Sequence, residues 1–147
     1  MTAANHALTG TLIAVLIREP VVALPLAFFS HFVCDALPHF DSHFEFGKRS
    51  MYVYLFFDGL AVICILAGLL IGVGLPSPLL VVACAAFAMA PDLMWLYYGV
   101  TDKLNRYTTY GSFATFHHKI QWSASKLGII PELFWASGAI SLIVYLK

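Results

Sequence analysis

The sequence predicts an all-α integral membrane protein, a compact bundle of about five helices that forms a single domain, residues 1–147. Hydrophobic residues make up 61% of the chain, charged residues only 11%, and the mean hydropathy is +0.83. Such a composition is typical of chains solvated by lipid. Eight basic and eight acidic residues give zero net charge. The predicted partner is therefore membrane lipid, and no nucleic-acid partner is predicted.

Five apolar segments define the helices. Residues 51–75, 78–100 and 127–146 are each long enough to cross a hydrocarbon core of about 30 Å. Residues 3–17 and 20–37 are shorter, and they predict a helical hairpin that either spans tightly or re-enters on the same side. A proline at position 20 suits a first helical turn, and one at position 38 ends the second helix.

The long polar stretch 101–126 predicts an interfacial helix. Phe113, Phe116 and Ile120 recur at helical spacing, and His117 and Lys119 stand between them. A helix with one aromatic face and one basic face is typical of the membrane boundary. The alternative is an ordinary connecting loop with aromatic anchors.

Basic residues are unevenly divided between the two sides of the predicted bundle. If each helix reverses direction, the N-terminus and the loops 39–50 and 101–126 share one face. The positive-inside rule places that face in the cytoplasm and the C-terminus outside, in a multi-pass inner (plasma) membrane protein. The six basic residues of this face are Lys48, Arg49, Lys103, Arg106, Lys119 and Lys126, against Arg18 and Lys147 on the other.

Imidazoles and carboxylates from six segments fall at the depth of this same face. A charged side chain in hydrocarbon costs about 2.5–3.5 kcal/mol even on lenient insertion scales, so these groups need partners. We expect them to meet in one pocket and to bind metal. The predicted metal ligands are His6, His31, Asp35, Asp58, Asp92 and His118.

The residue types indicate which metal the pocket would take. His31 and Asp35 stand four residues apart on one helix face, a spacing that lets two side chains hold one ion. The three cysteines are scattered singly, so no thiolate site is indicated. Imidazole and carboxylate ligands favour zinc foremost, with manganese or iron as alternatives. More than four candidate ligands leave room for one or two ions, and two ions suit phosphoester hydrolysis.

Three further residues are predicted to be catalytic. His39 and Asp41 follow the second helix and would act as ligand or base, and His117 as general acid. Which of His117 and His118 is the ligand stays open.

Three of the predicted metal ligands have a structural alternative. Asp58 could form a buried hydrogen bond, Asp92 could be a helix N-cap, and His6 could be a polar residue near a helix start. Positions 43 (His) and 45 (Glu) are predicted to be solvated.

Four short motifs carry a resemblance to a known family. They are NHALTG near the start, SHFVCDALPHFD, APDLMW and FHHKIQW. They resemble motifs of small membrane proteins related to the inner-membrane metal-dependent hydrolases, the group sometimes labelled LexA-binding, and more remotely of zinc-dependent phospholipase C. The resemblance implies a metal site formed by His6, His31, Asp35, Asp92 and His118 or His117. The chain departs from the hydrolase pattern because Leu93 and Met94 follow Asp92, without the second acid of a PDxD element.

These patterns lead to three functional hypotheses. The first is a membrane-embedded metal-dependent hydrolase of a phosphoester, on a lipid or lipid-linked substrate at the cytoplasmic leaflet. Lys103, Arg106 and Lys119 would hold the phosphate in that case, or act only as interfacial anchors. The second is a non-catalytic protein whose polar cluster or structural metal holds the helices together. The third, a small transporter, is disfavoured because the opposite halves of the helices are apolar. An oligomer is left open.

Overall fold

In the computed structural model, residues 1–41, 48–100 and 111–147 are described, and these are helical apart from short connections. Side chains at positions 96 and 98–100 are outside the description. The helices are α1 Ala3–Leu16, α2 Pro20–Ala36, α3 Arg49–Ala67 with a π-helical extension Gly68–Val73, α4 Pro78–Met89, a 3-10 turn Ala90–Asp92, α5 Leu93–Val100, α6 Ser112–Ile120, a 3-10 turn Lys126–Gly128 and α7 Ile129–Leu146.

The observed boundaries follow the local signals in the sequence. Pro20 and Pro78 stand in the first turns of α2 and α4, where the missing N–H has no helical partner. Gly74 adopts a left-handed conformation with φ of 71° and ends the extension of α3. The predicted N-terminal hairpin is confirmed as α1 followed by α2. The all-helical fold class is confirmed for the part of the chain that the structure describes.

Helix α1 is the centre of the bundle. It packs against α2, α3, α4 and α7, and its residues from Asn5 to Thr11 are all buried. A Cβ atom at Gly10 would lie 2.3 Å from the carbonyl oxygen of Cys84 in α4. Glycine at this position therefore allows the backbones of α1 and α4 to approach each other directly.

We expect Gly10→Ala to destabilise the protein by about 1–3 kcal/mol, because the added methyl group must push α1 away from the α4 backbone. The measurement is thermal or denaturant unfolding in detergent. Gly59→Ala is the matched control, since no atom lies within 4 Å of a Cβ built at that helical position. Equal stability changes in the two variants would contradict the close approach.

Three helical stretches are long and apolar enough to cross a membrane: Arg49–Val73, Pro78–Trp95 and Lys126–Leu146. They confirm that three stretches have the length and composition of a membrane span, but the predicted segment 78–100 is divided by the 3-10 turn Ala90–Asp92 into α4 and α5. Large apolar side chains such as Phe57 and Phe134 are exposed on them rather than packed in the core. Helices α1 and α2 are shorter.

A helix is present within the stretch 101–126. It is α6, Ser112–Ile120, which confirms a helix in this segment and carries exposed Phe113 and Phe116. Residues 42–47 and 101–110 lie outside the described residues. The predictions for the histidine at 43, the glutamate at 45, the lysine at 103 and the arginine at 106 fall there.

The segment after α2 is attached to the start of α7. Phe40 and Ser125 form an isolated β-bridge, and the Ser125 N–H donates to the His39 carbonyl at 3.0 Å. Gly128 lies directly against this segment, because a Cβ atom there would overlap the His39 carbonyl group. The contact places the end of α2 and the beginning of α7 at the same end of the bundle.

Candidate metal site

Four side chains from three elements converge at one end of the bundle and could hold a metal ion. His31 and Asp35 come from α2, Asp92 from the 3-10 turn after α4, and His117 from α6, and one potential ligand atom of each lies within 4.8 Å of all the others. His31, Asp35 and His117 are fully buried, whereas the Asp92 side chain is 36% exposed. Asp92 is therefore the one partly exposed side chain of this group.

The four ligand atoms lie within 4.8 Å of one another, and the distances that involve the two histidines are compatible with tetrahedral coordination. Four ligands at about 2.1 Å from a zinc ion stand about 3.4 Å from one another. The His31 Nε2 atom lies 3.2 Å from Asp35 Oδ2 and 3.6 Å from Asp92 Oδ1. The His117 Nε2 atom lies 3.1 Å and 3.7 Å from the same two oxygens, and 2.8 Å from His31 Nε2. Two imidazoles and two carboxylates also match the charge and donor preferences of a divalent ion.

The His31 ring is oriented as in many metal-binding histidines. Its Nδ1–H donates to the carbonyl oxygen of Ala88 in α4 at 2.8 Å. In the neutral ring this bond leaves the lone pair on Nε2, and Nε2 is the atom that faces Asp35 and Asp92. His31 could therefore bind a cation through Nε2 while it keeps its bond to Ala88.

Asp35 is surrounded by nitrogen donors. Its Oδ2 atom accepts from the Gln121 amide at 2.9 Å and faces His117. Its Oδ1 atom accepts from His6 Nε2 at 3.1 Å and from the N-terminal ammonium group of Met1 at 2.5 Å. A buried carboxylate needs this degree of compensation. Protein groups alone therefore stabilise the Asp35 carboxylate. Its Oδ2 atom also faces the Nε2 atoms of His31 and His117, where an ion would bind.

His6 is beside the four-residue group but is not one of its members. Its ring stacks on that of His31 with centroids 3.9 Å apart, and Nε2 bonds to Asp35. Its Nδ1 atom is buried and has no partner among the described residues. The sequence predicts His6 as a metal ligand. In the structure His6 contacts Asp35, one of the four potential ligands, and the role of His6 as a ligand stays a prediction.

Asp58 was predicted as a ligand, and the structure places it at the start of α1 instead. Its two carboxylate oxygens accept from the backbone N–H groups of Ala3 at 2.8 Å and Ala4 at 3.1 Å. Those N–H groups lie in the first helical turn, where no intrahelical acceptor exists. The buried hydrogen bond expected as the alternative for Asp58 is the interaction observed, and the group of four does not include this residue.

The adjacent histidines of α6 point in different directions. His117 is fully buried in the group, whereas His118 is exposed. Two consecutive helical residues are about 100° apart, so one helix cannot present both to the same ion. The sequence predicted His118 as a ligand but left open which of the two histidines has that role, and in the structure it is His117 that belongs to the group of four.

The other two residues predicted to be catalytic lie after α2 and outside the group. His39 is buried and its Nδ1 bonds to the Leu37 carbonyl at 2.8 Å. The Asp41 backbone N–H donates to the Ser125 carbonyl. Neither is among the four potential ligands found in the described residues. Their catalytic roles stay predictions.

Sequence reasoning missed a second buried carboxylate, Glu132 in α7. It accepts from the Thr2 N–H at 3.1 Å, the Thr2 hydroxyl at 2.5 Å, the Asn5 amide at 2.8 Å and the Phe40 N–H at 2.9 Å. It therefore joins α1, α7 and the segment after α2. The sequence did contain a signal for this residue, because Glu132 is the only charged residue between positions 127 and 146. Gln121 and Trp95, which bond to Asp35 and His117, were missed as well.

Comparison of the chain with models of protein families, with curated proteins and with solved structures finds no match. The family resemblance drawn from the four motifs therefore stays a prediction. What can be said of the site rests on the geometry of its own residues.

Proposed function

We propose that this protein is a membrane-embedded, zinc-dependent hydrolase that acts on a phosphoester of a lipid or lipid-linked substrate. The observation that carries the proposal is the convergence of ligand atoms of His31, Asp35, Asp92 and His117 within 4.8 Å of one another, with the Asp92 side chain partly exposed. Structural zinc sites fill all four positions with protein ligands, and catalytic sites have three protein ligands and a position for water. The three buried residues His31, Asp35 and His117 would be those three ligands, and the partly exposed Asp92 would leave the fourth position to water.

The chemistry follows from the charges of the group. His31 and Asp35, both fully buried on α2, would hold the ion in place, and its two positive charges would balance the two carboxylates. A bound divalent ion lowers the pKa of its water and stabilises the negative charge that develops on a phosphoryl oxygen. Asp92 is the partly exposed side chain of the group, so it can weaken its contact with the ion and accept a proton from an entering water.

A lipid substrate is supported by the surroundings of the site. The apolar helices Arg49–Val73 and Pro78–Trp95 expose most of their surface, which suits a bilayer. Exposed Lys119 and Lys126 lie at the same end of the bundle, in α6 and in the 3-10 turn before α7. Such residues attract anionic headgroups. We place the site at the cytoplasmic leaflet of the inner membrane because the basic residues are concentrated on this face.

The test is hydrolysis of a panel of phospholipids and lipid-linked phosphates in mixed micelles by protein purified without added metal. We expect turnover that a chelator abolishes and Zn²⁺ restores, with one or two zinc ions per chain by elemental analysis. Product release that is identical with and without chelator, or no turnover on the whole panel in zinc-loaded protein, would overturn the proposal.

One observation favours a second candidate, a polar cluster that holds the helices together without metal. His117 and Asp35 already have protein partners, namely Trp95 and Gln121. In that case elemental analysis finds no bound metal, and the melting temperature in detergent is the same with and without chelator. For the metalloprotein we expect chelation to lower the melting temperature, because an ion that binds only the folded state stabilises it.

A further inference from the structure

The two histidines of the candidate metal site are held in opposite tautomers. His31 donates from Nδ1 to the Ala88 carbonyl, so its Nε2 has a lone pair for a cation. His117 instead accepts at Nδ1, where the Trp95 indole N–H donates at 3.0 Å. An indole nitrogen is only ever a donor. A neutral His117 imidazole must therefore carry its proton on Nε2.

This tautomer conflicts with the position of His117 in the group. The Nε2 atom is the one that lies 3.1 Å from Asp35 Oδ2, 3.7 Å from Asp92 Oδ1 and 2.8 Å from His31 Nε2. A protonated nitrogen donates a hydrogen bond there, to Asp35 or to His31, and cannot coordinate an ion. His117 therefore lies where a ligand would lie, but its Nε2 atom carries a proton and acts as a hydrogen-bond donor.

We propose that Trp95 is a positioning residue that controls whether His117 binds the metal. The inference rests on the proposed function. For His117 to bind a metal ion, Nε2 would release its proton and Nδ1 would take one up, so the ring would stay neutral and Nε2 would have a lone pair for the ion. The Nδ1–H group and the indole N–H are both donors, so the Trp95–His117 hydrogen bond would then be lost. The bond and the ion therefore compete for His117.

The position of Trp95 in the chain links this competition to a second ligand. Trp95 lies in the first turn of α5, three residues after Asp92 and directly beyond the 3-10 turn Ala90–Asp92. Residues three apart on a helical segment lie on one face. A shift of α5 that releases the indole from His117 would therefore be expected to displace Asp92 as well, the partly exposed carboxylate of the group.

The test compares the Zn²⁺ affinity of wild type and Trp95→Phe, measured in detergent by competition with a chromophoric chelator. Phenylalanine keeps the ring and removes the N–H. We expect Trp95→Phe to bind Zn²⁺ about threefold to tenfold more tightly, the ratio that corresponds to one net hydrogen bond. In a His117→Ala background the same substitution should leave the affinity unchanged. Trp122→Phe is the matched control, since Trp122 is highly exposed.

Fluorescence gives a second, independent readout. The chain has three tryptophans, and we expect Zn²⁺ to change the emission of wild type, Trp122→Phe and Trp135→Phe but not that of Trp95→Phe. Equal Zn²⁺ affinities of wild type and Trp95→Phe, with no emission change assigned to Trp95, would overturn the inference and leave the proposed metal site intact. Binding by Trp95→Phe alone would support it. Absence of Zn²⁺ binding in both proteins would overturn it together with the proposed function.

Discussion

Asp35→Asn is expected to abolish Zn²⁺ binding and to destabilise the protein strongly. The Asp35 carboxylate contacts three imidazoles, the Gln121 amide and the N-terminal ammonium group. An asparagine of the same shape keeps one acceptor oxygen but turns an NH₂ group toward donors. We expect an affinity loss of at least about 100-fold, because a ligand is lost together with the bonds that orient the others. The loss of stability should be about 3–5 kcal/mol.

Asp58→Asn is the matched control for this experiment. Both aspartates are carboxylates within apolar helices, but Asp58 accepts hydrogen bonds from the first turn of α1. We expect Asp58→Asn to cost about 1–2 kcal/mol of stability, as for a lost helix cap, and to leave Zn²⁺ affinity within about threefold of wild type. The measurements are chelator competition and unfolding in detergent. A similar loss of Zn²⁺ affinity in both variants would show that Asp58 belongs to the metal site after all.

Glu132→Ala is expected to destabilise the protein by about 3–5 kcal/mol without removing the metal site. The substitution leaves the donors of Thr2, Asn5 and Phe40 without the carboxylate that they share, which is itself almost fully buried. The measurement is the free energy of unfolding in detergent, with Zn²⁺ affinity determined on the folded protein. Glu19→Ala is the control, since this glutamate is exposed at the turn before α2.

Two outcomes would contradict this view of Glu132. A stability equal to that of Glu19→Ala would mean that water or other groups replace the carboxylate at no cost. A selective loss of Zn²⁺ affinity, with stability unchanged, would show that Glu132 belongs to the metal site. It would then not act only by joining α1, α7 and the segment after α2. The expected result is a lower free energy of unfolding together with a Zn²⁺ affinity within about threefold of wild type. It would show that the hydrogen bonds of Glu132 and the metal site act independently.

Much of the fold follows from the sequence because helix formation and hydropathy are local properties. The N-terminal hairpin and the three longer apolar stretches occur where the patterns predict them, bounded by Pro20, Pro78 and Gly74. The convergence of polar groups was predictable for the same reason. When helices alternate in direction, depth along each helix fixes which ends lie together, and His31, Asp35 and Asp92 meet as expected.

The partners of each polar group could not be read from the chain. Asp35 and Asp58 carry the same signal, a carboxylate in an apolar helix, yet one faces three imidazoles and the other the N–H groups of α1. The rotation of each helix about its axis makes this difference, and rotation depends on packing, such as the close approach of Gly10 to α4.

The sequence by itself determined the helices, their apolar character and the end of the bundle at which the ionisable groups collect. Only the tertiary structure decided that His117 rather than His118 enters the group, that Glu132 supports the N-terminus of α1, and that Trp95 holds His117 in one tautomer. Hydropathy and helix signals act over a few residues along the chain. Hydrogen-bond partners are chosen among side chains up to 130 residues apart, and only the packed arrangement brings them together.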